Sequence, residues 1–299
     1  MDFSSASLRV LTQIAESGSF TATAVKLGYT QSAVSRQAIG LERDAGARLF
    51  ERRPDGVRLT PAGLTLLRHA RTILASVDAA ERELTGSAPR TEIVRLGVFM
   101  TAGTVLLPKA LAALAALRPR VKVTTREGTT PSLVRALRAG TLDLAVLSSR
   151  PPYRAPDAES PRLHLDPVED TELRLAVRAT GEFAGRTSVH VDELADADWI
   201  SSPSPPSEPL LGVWPGLPGR PRIVHSARDW LTKLRLVADG FGITTVAAHM
   251  APVLPPGVTL LRVEGAPPEV RRVLLARLPG KPSPAIAAVT RAFTCQFGQ

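Results

Sequence analysis

Apolar residues along the chain follow two regimes in turn. Over residues 6–60 they recur at helical spacing in short stretches that contain a single proline, Pro54. Leu8, Leu11, Ile14 and Ala15 mark a first helix that stops at Ser17-Gly18. A second follows Ser19, from about Thr21 to Leu27, and Gly28 ends it. Thr30 suits the N-cap of a third helix, Gln31 to about Ala45, with Gly46 just past its end. Two short helices, a glycine-containing turn and a further helix make a helix-turn-helix pattern. On the third helix Val34, Ala38, Leu41 and Ala45 fall in one narrow sector, and Gln31, Ser32, Ser35, Arg36 and Arg43 lie opposite. Gln, Ser and Arg can read base edges or hold phosphates; on a lone helix the same residues would be a solvated face.

Pro54-Asp55-Gly56 between Leu49–Arg53 and Val57–Leu59 reads as a tight hairpin, a basic wing carrying Arg52, Arg53 and Arg58. Thr60 then caps a long helix over 61–86 with Pro61 at its first position. Leu64, Leu67, Leu74, Val77 and Leu84 form one stripe, flanked by Ile73 and Ala80. A stripe of that length predicts a partner helix from a second chain, packing within the same chain being the alternative. From Ile93 the period changes. Strands are predicted at 93–99, 121–126, 142–147, 163–178, within 189–200, and at 243–247, 260–263 and 270–278, and helices at 101–117, 131–139, 230–238 and 283–297. Such alternation builds a mostly parallel sheet covered by helices.

Composition narrows the function classes. Net charge is +9, but the first ninety residues carry 12 Lys and Arg against 9 Asp and Glu, so charge alone points weakly to nucleic acid. One cysteine, Cys295, allows no intramolecular disulfide and suits a reducing cytoplasm. The N-terminus lacks a secretion signal, and the apolar stretch Thr104–Leu117 is broken by Pro108-Lys109, so no membrane location is expected. No GxSxG, HExxH, GxGxxG, P-loop or CxxC pattern occurs. The histidines at 69, 164, 190, 225 and 249 have no ligand spacing, so neither a catalytic set, a metal nor a cofactor is expected.

Residues 6–63 resemble the DNA-binding domain of the LysR-type transcriptional regulators. The resemblance rests on Gly18-Ser19-Phe20-Thr21-Ala22, Gln31-Ser32-Ala33-Val34-Ser35-Arg36-Gln37, Leu41-Glu42, Gly46, Leu49-Phe50, Arg52 or Arg53, and Val57-Arg58-Leu59-Thr60-Pro61-Ala62-Gly63. It implies an α/β protein with a winged helix-turn-helix domain (1–60), a linker and dimerisation helix (61–89) and a two-lobed effector domain (90–299) similar in fold to periplasmic binding proteins. Lobe I would span 90–163 and 265–299, lobe II 164–264. Gln31, Ser35 and Arg36 would enter the major groove, Thr21, Thr30 and Ser32 would sit near phosphates, and Arg53 or Arg52 would make the wing contact. Departures are Ser32 in place of a usual proline, Ala38 and Ala45 in place of larger core residues, and Gly40 inside the helix; Ile39 or Phe50 would fill the space at Ala38.

The resemblance also implies double-stranded DNA as partner, a homodimer or homotetramer, contact with RNA polymerase, and a small-molecule effector of unknown identity bound between the lobes. Ligands of open α/β sheets bind at the carboxyl ends of strands. That rule selects Thr101, Thr104, Thr129, Thr130, Ser148, Ser201 and Ser202 as effector contacts, although such residues also cap helices. Seven prolines between Ser201 and Arg222 preclude a long helix there and predict an irregular loop carrying Trp214 beside the effector. A two-lobed enzyme or a solute-binding protein would share the later half, but neither accounts for Gln31 to Arg36.

Overall fold

A computed structural model of the chain describes residues 3–53, 56–85, 91–203, 210–217 and 220–297. Helix α1 (Ser5–Ser17) is capped by Ser4, α2 (Phe20–Leu27) by Ser19 and α3 (Gln31–Ala45) by Thr30, each through its hydroxyl to a backbone N–H three residues on. Ser19, not Thr21, therefore opens α2. The wing strands β1 (Phe50–Arg53) and β2 (Gly56–Leu59) pair antiparallel from Phe50 opposite Leu59 to Arg53 opposite Gly56. Pro54 and Asp55 lie outside the described residues. The Glu42 carboxylate on α3 accepts the N–H groups of Leu49 and Phe50 at 2.8 and 3.1 Å, tying α3 to the start of β1. Glu42→Ala strands both donors and is expected to cost about 1–3 kcal/mol in a urea titration.

Leu8, Leu11, Ile14, Phe20, Val34, Leu41 and Phe50 close a core under these elements. Ala38 is 3% exposed in the same core as Phe50, which lies edge-on to Phe20 with ring centroids 5.9 Å apart, and Ile39 is 59% exposed. Helix α4 (Pro61–Thr85) adds Leu67, Ala70 and Leu74 to the same core. Its apolar stripe thus divides: the middle is covered within the chain, while Ile73 and Leu84 remain exposed, at 43% and 88%.

The chain forms two compact units: Met1–Leu147 with Ala155–Pro167 and Leu274–Gln299, and Ser148–Arg154 with Val168–Val273. In the first unit β3 (Glu92–Val98) lies between β4 (Val121–Glu127) and β5 (Leu144–Ser149), parallel to both. Helices α5 (Met100–Leu117) and α6 (Thr130–Arg138) follow β3 and β4. By length and composition alone α5 could cross a bilayer, because Pro108 sits inside the helix instead of breaking it. It buries Ala102, Val105, Leu106, Ala110 and Leu114 and packs along β3 and β4. Arg138 is 6% exposed; its guanidinium binds both carboxylate oxygens of Asp157 and the carbonyls of Glu159 and Pro161, anchoring the segment after Ala155.

Strand β6 (His164–Arg178) runs from the first unit into the second. There follow β7 (Ser188–His190), β8 (Asp198–Ser201), β9 (Arg222–Ser226), α7 (Trp230–Ala238), β10 (Thr244–Ala247) and β11 (Val258–Glu264). Strand β12 (Val270–Arg277) returns to the first unit, where α8 (Pro284–Phe297) packs on α5. The crossings fall at 167/168 and 273/274, inside strands, and residues 148–154 join the second unit, unlike the expected boundaries at 163/164 and 264/265. The second unit's pairing is mixed, not mostly parallel. Strand β6 is antiparallel to β10 and β11, whereas β11 with β7 and β8 with β9 are parallel.

Among the described residues of the Pro-rich segment, 210–217 form turns and bends, and 204–209 and 218–219 lie outside the description. Trp214 is 4% exposed and packs with Trp199, Leu173 and Leu175. It anchors the described part of the loop in the second unit's core.

Candidate nucleic-acid interface and effector site

Helix α3 buries Val34, Ala38 and Leu41 and leaves Gln31, Ser32, Arg36 and Arg43 exposed, with Ser35 half-buried. Gln31 lies one turn before Ser35, and Ser32 one turn before Arg36, so the four make a short polar ridge at the helix's amino end. Thr30 and Ser32 share a hydroxyl contact of 3.1 Å at the cap. Thr21 and Thr30 are exposed at the starts of α2 and α3. Helix starts present free N–H groups and a positive dipole end, which suit phosphate. Arg58 is exposed on β2. The side chains of Arg52 and Arg53 lie outside the described residues, though their backbones pair with Val57 and Gly56.

An ion network runs from this module into the sheet of the first unit. Asp143, just before β5, accepts Arg95 Nε and a terminal nitrogen at 3.0 and 2.8 Å, and the Arg95 backbone N–H at 2.8 Å. Arg71 of α4 reaches Asp143 at 3.2 Å and the Gly140 carbonyl at 2.6 Å. Arg95 also lies 3.7 Å from Glu16 of α1. Burial pulls the Arg71 guanidinium down to about 10, with Arg95's charge acting the same way, so it stays protonated at neutral pH. Burial alone would raise the Asp143 carboxyl, but the hydrogen bond and charge of Arg95 and the charge of Arg71 outweigh it and hold the group below its ordinary range. The sequence offers no signal for this network: its members are isolated charges up to 127 positions apart, on three elements and the segment before β5.

The effector candidates separate by what their hydroxyls do. Thr101, Thr129 and Thr130 stand at the carboxyl ends of β3 and β4, at the starts of α5 and α6. Among the described residues their hydroxyls have no hydrogen-bond partner, and neither Phe99 nor Thr129 caps its helix through a side chain. The Thr104 hydroxyl donates to the Met100 carbonyl at 3.0 Å, one turn back inside α5, and keeps its acceptor lone pairs. Ser148 is half-buried near the end of β5. In the second unit Ser201 is 3% exposed, and Ser202 accepts from Lys233 Nζ at 3.0 Å. In sequence a lysine of an amphipathic helix reads as solvent-facing, yet Lys233 is 6% exposed.

Residues 5–64 match the family model described as a bacterial regulatory helix-turn-helix protein of the lysR family, and residues 87–298 match the LysR substrate binding domain. A small neutral protease regulatory protein of Streptomyces coelicolor is 31% identical over 289 residues, 90% of this chain and 80% of its own length. A probable hydrogen peroxide-inducible genes activator of Mycobacterium avium is 30% identical over 252 residues, 83% of this chain and 79% of its own. Among solved structures, a full-length OxyR variant of Pseudomonas aeruginosa superposes with a TM-score of 0.67 at 20% identity, covering 98% of this chain and 95% of that one. Full-length CbnR in complex with its target DNA gives 0.52 at 23%, covering 97% and 98%.

Proposed function

The chain belongs to the LysR family of transcriptional regulators, and from that premise we propose that Gln31, Ser35 and Arg36 read a DNA major groove under the control of a small molecule held by the C-terminal half. The observation that carries the reading is the exposed ridge of Gln31, Ser32, Arg36 and half-buried Ser35 at the amino end of α3, on a helix whose other face is locked into the core. Thr21, Thr30 and the wing arginines at 52 and 53 position the helix by contacts to phosphate. Two copies pair through the exposed Ile73 and Leu84 of α4, so that two recognition helices meet half-sites about one helical turn apart. The protein acts in the cytoplasm and has no catalytic role of its own.

On this reading the effector meets the hydroxyls of Thr101, Thr129 and Thr130, which have no hydrogen-bond partner among the described residues. It shifts DNA binding or polymerase contact only by binding one arrangement of the protein better than another. The Arg71–Asp143–Arg95–Glu16 network is the physical link between the sheet bearing those threonines and the DNA-binding helices. An internal disulfide switch is not part of the reading, because the 299 residues contain only Cys295, exposed on α8.

An electrophoretic shift assay with genomic fragments across a salt series tests the function. Sequence-selective retention whose affinity falls with salt is expected. Arg36→Ala should cost about 1–3 kcal/mol against the preferred site and less against random duplex. Equal losses on both would demote Arg36 to a phosphate contact, and the absence of any selective retention would end the reading.

A further inference from the structure

Helix α7 turns Trp230, Lys233, Leu234 and Val237 inward. A lysine at the second of these inward positions is costly, because an ammonium group taken from water needs a counter-charge or several acceptors. Lys233 has neither. Its Nζ donates to Ser202 Oγ at 3.0 Å, a neutral group just past the carboxyl end of β8, and no carboxylate of the described residues lies within 4 Å of it. Asp229, whose charge reaches Lys233 from the start of the same helix, is engaged by the N–H and hydroxyl of Thr232, both at 2.6 Å. Burial accordingly pulls the Lys233 ammonium below its ordinary value. One turn back on the same inner face, the indole N–H of Trp230 is buried without a hydrogen-bond partner among the described residues. Strands β8 and β9 are parallel and end together here, at Ser201 and Ser226. Among the described residues, the carboxyl end of this sheet therefore has two buried donors, Lys233 Nζ and Trp230 Nε1, with one neutral acceptor between them.

Resting on the reading that this half of the chain binds an effector, we propose that Lys233 and Ser202 form the anion-recognising part of that site, and that the effector carries an oxyanion head group, carboxylate or phosphate. The ammonium supplies the charge and Ser202 directs it. A buried lysine of this kind makes the empty site less stable than an apolar one would be, and the bound oxyanion restores the deficit. The side chain is thus a reason for the protein to distinguish liganded from unliganded states.

The test is thermal unfolding and calorimetry on the full chain at matched ionic strength. The probes are sodium succinate, sodium benzoate and inorganic phosphate, each carboxylate beside its amide, succinamide and benzamide. At least one oxyanion is expected to raise the melting temperature of the wild type while its amide does not; success of succinate or benzoate names a carboxylate, success of phosphate alone a phosphate. Lys233→Met should melt no lower than the unliganded wild type and should bind the same probe about ten- to hundredfold more weakly, and Lys233→Arg should recover part of the loss. Equal binding by Lys233→Met, a markedly lower melting temperature for it, amides that bind as well as acids, or no response to any oxyanion would each overturn the proposal. Failure of the effector reading is separate: it would appear as an oxyanion that binds through Lys233 yet leaves DNA affinity and footprint unchanged.

Discussion

Asp143→Ala is expected to cost about 3–5 kcal/mol of stability in urea unfolding at neutral pH, the range for removing one partner from a buried charge cluster. The side chain is 10% exposed, and its two oxygens hold two arginines of different elements, Arg95 of β3 and Arg71 of α4. Removing it leaves both guanidinium groups close together in a half-buried site, so repulsion replaces attraction. The pH dependence follows from the depressed carboxyl. A group whose folded pKa lies below its unfolded value contributes fully above the unfolded value, about 3.9 for Asp, and loses its contribution as pH falls toward the folded one. The gap between wild type and Asp143→Ala should therefore be constant from pH 7 to about 5 and narrow below about 4. A gap that persisted unchanged to pH 3 would assign the stability to packing and not to charge. Because the network also reaches Glu16 on α1, the variant should weaken any effector-dependent change in DNA affinity even where basal binding survives.

The DNA-binding half was legible because its information is local. Thr30 three residues before Ala33, glycines at 18, 28 and 46, and a four-residue apolar period on α3 each set one helix boundary or one face without help from distant residues. The later half was legible in its elements but not in its unit boundaries, which fall inside the strands β6 and β12 where no composition change marks them. Strand β9 escaped because all five of its residues are exposed, leaving no alternation to detect. The charged groups were least legible of all. Sequence treats Lys233, Arg71 and Asp143 as surface residues, and only tertiary packing shows that each is withdrawn from water. Hydroxyls were legible as a class but not individually: Thr101 and Thr104 are three residues apart on α5, and only the second donates to a carbonyl of its own helix.

Gly63→Ala is expected to destabilise the winged domain by about 3 kcal/mol or more, at the upper end of overpacking penalties. The Thr60-Pro61-Ala62-Gly63 run does two things at once. Thr60 Oγ1 donates to the Arg48 carbonyl at 2.6 Å and accepts the Gly63 N–H at 3.0 Å, while the Thr60 N–H donates to the Leu49 carbonyl at 3.0 Å. These bonds draw the first turn of α4 onto the start of the wing so closely that a Cβ on Gly63 would overlap the Leu49 carbonyl oxygen and press on Leu49 C and Leu59 Cβ at 3.1 and 3.2 Å. Backbone cannot step aside as a flexible side chain can, so relief requires separating α4 from β1. Gly40→Ala is the matched control: it lies inside α3 with nothing within 4 Å of the added carbon, and it should stabilise by about 0.5–1 kcal/mol through helix propensity. Thermal unfolding of both variants beside DNA binding separates the effects. Gly63→Ala should lose selective retention as the wing and recognition helix lose their common frame, and a Gly63→Ala protein that melted with the wild type would show that the approach of α4 to the wing is looser than these contacts require.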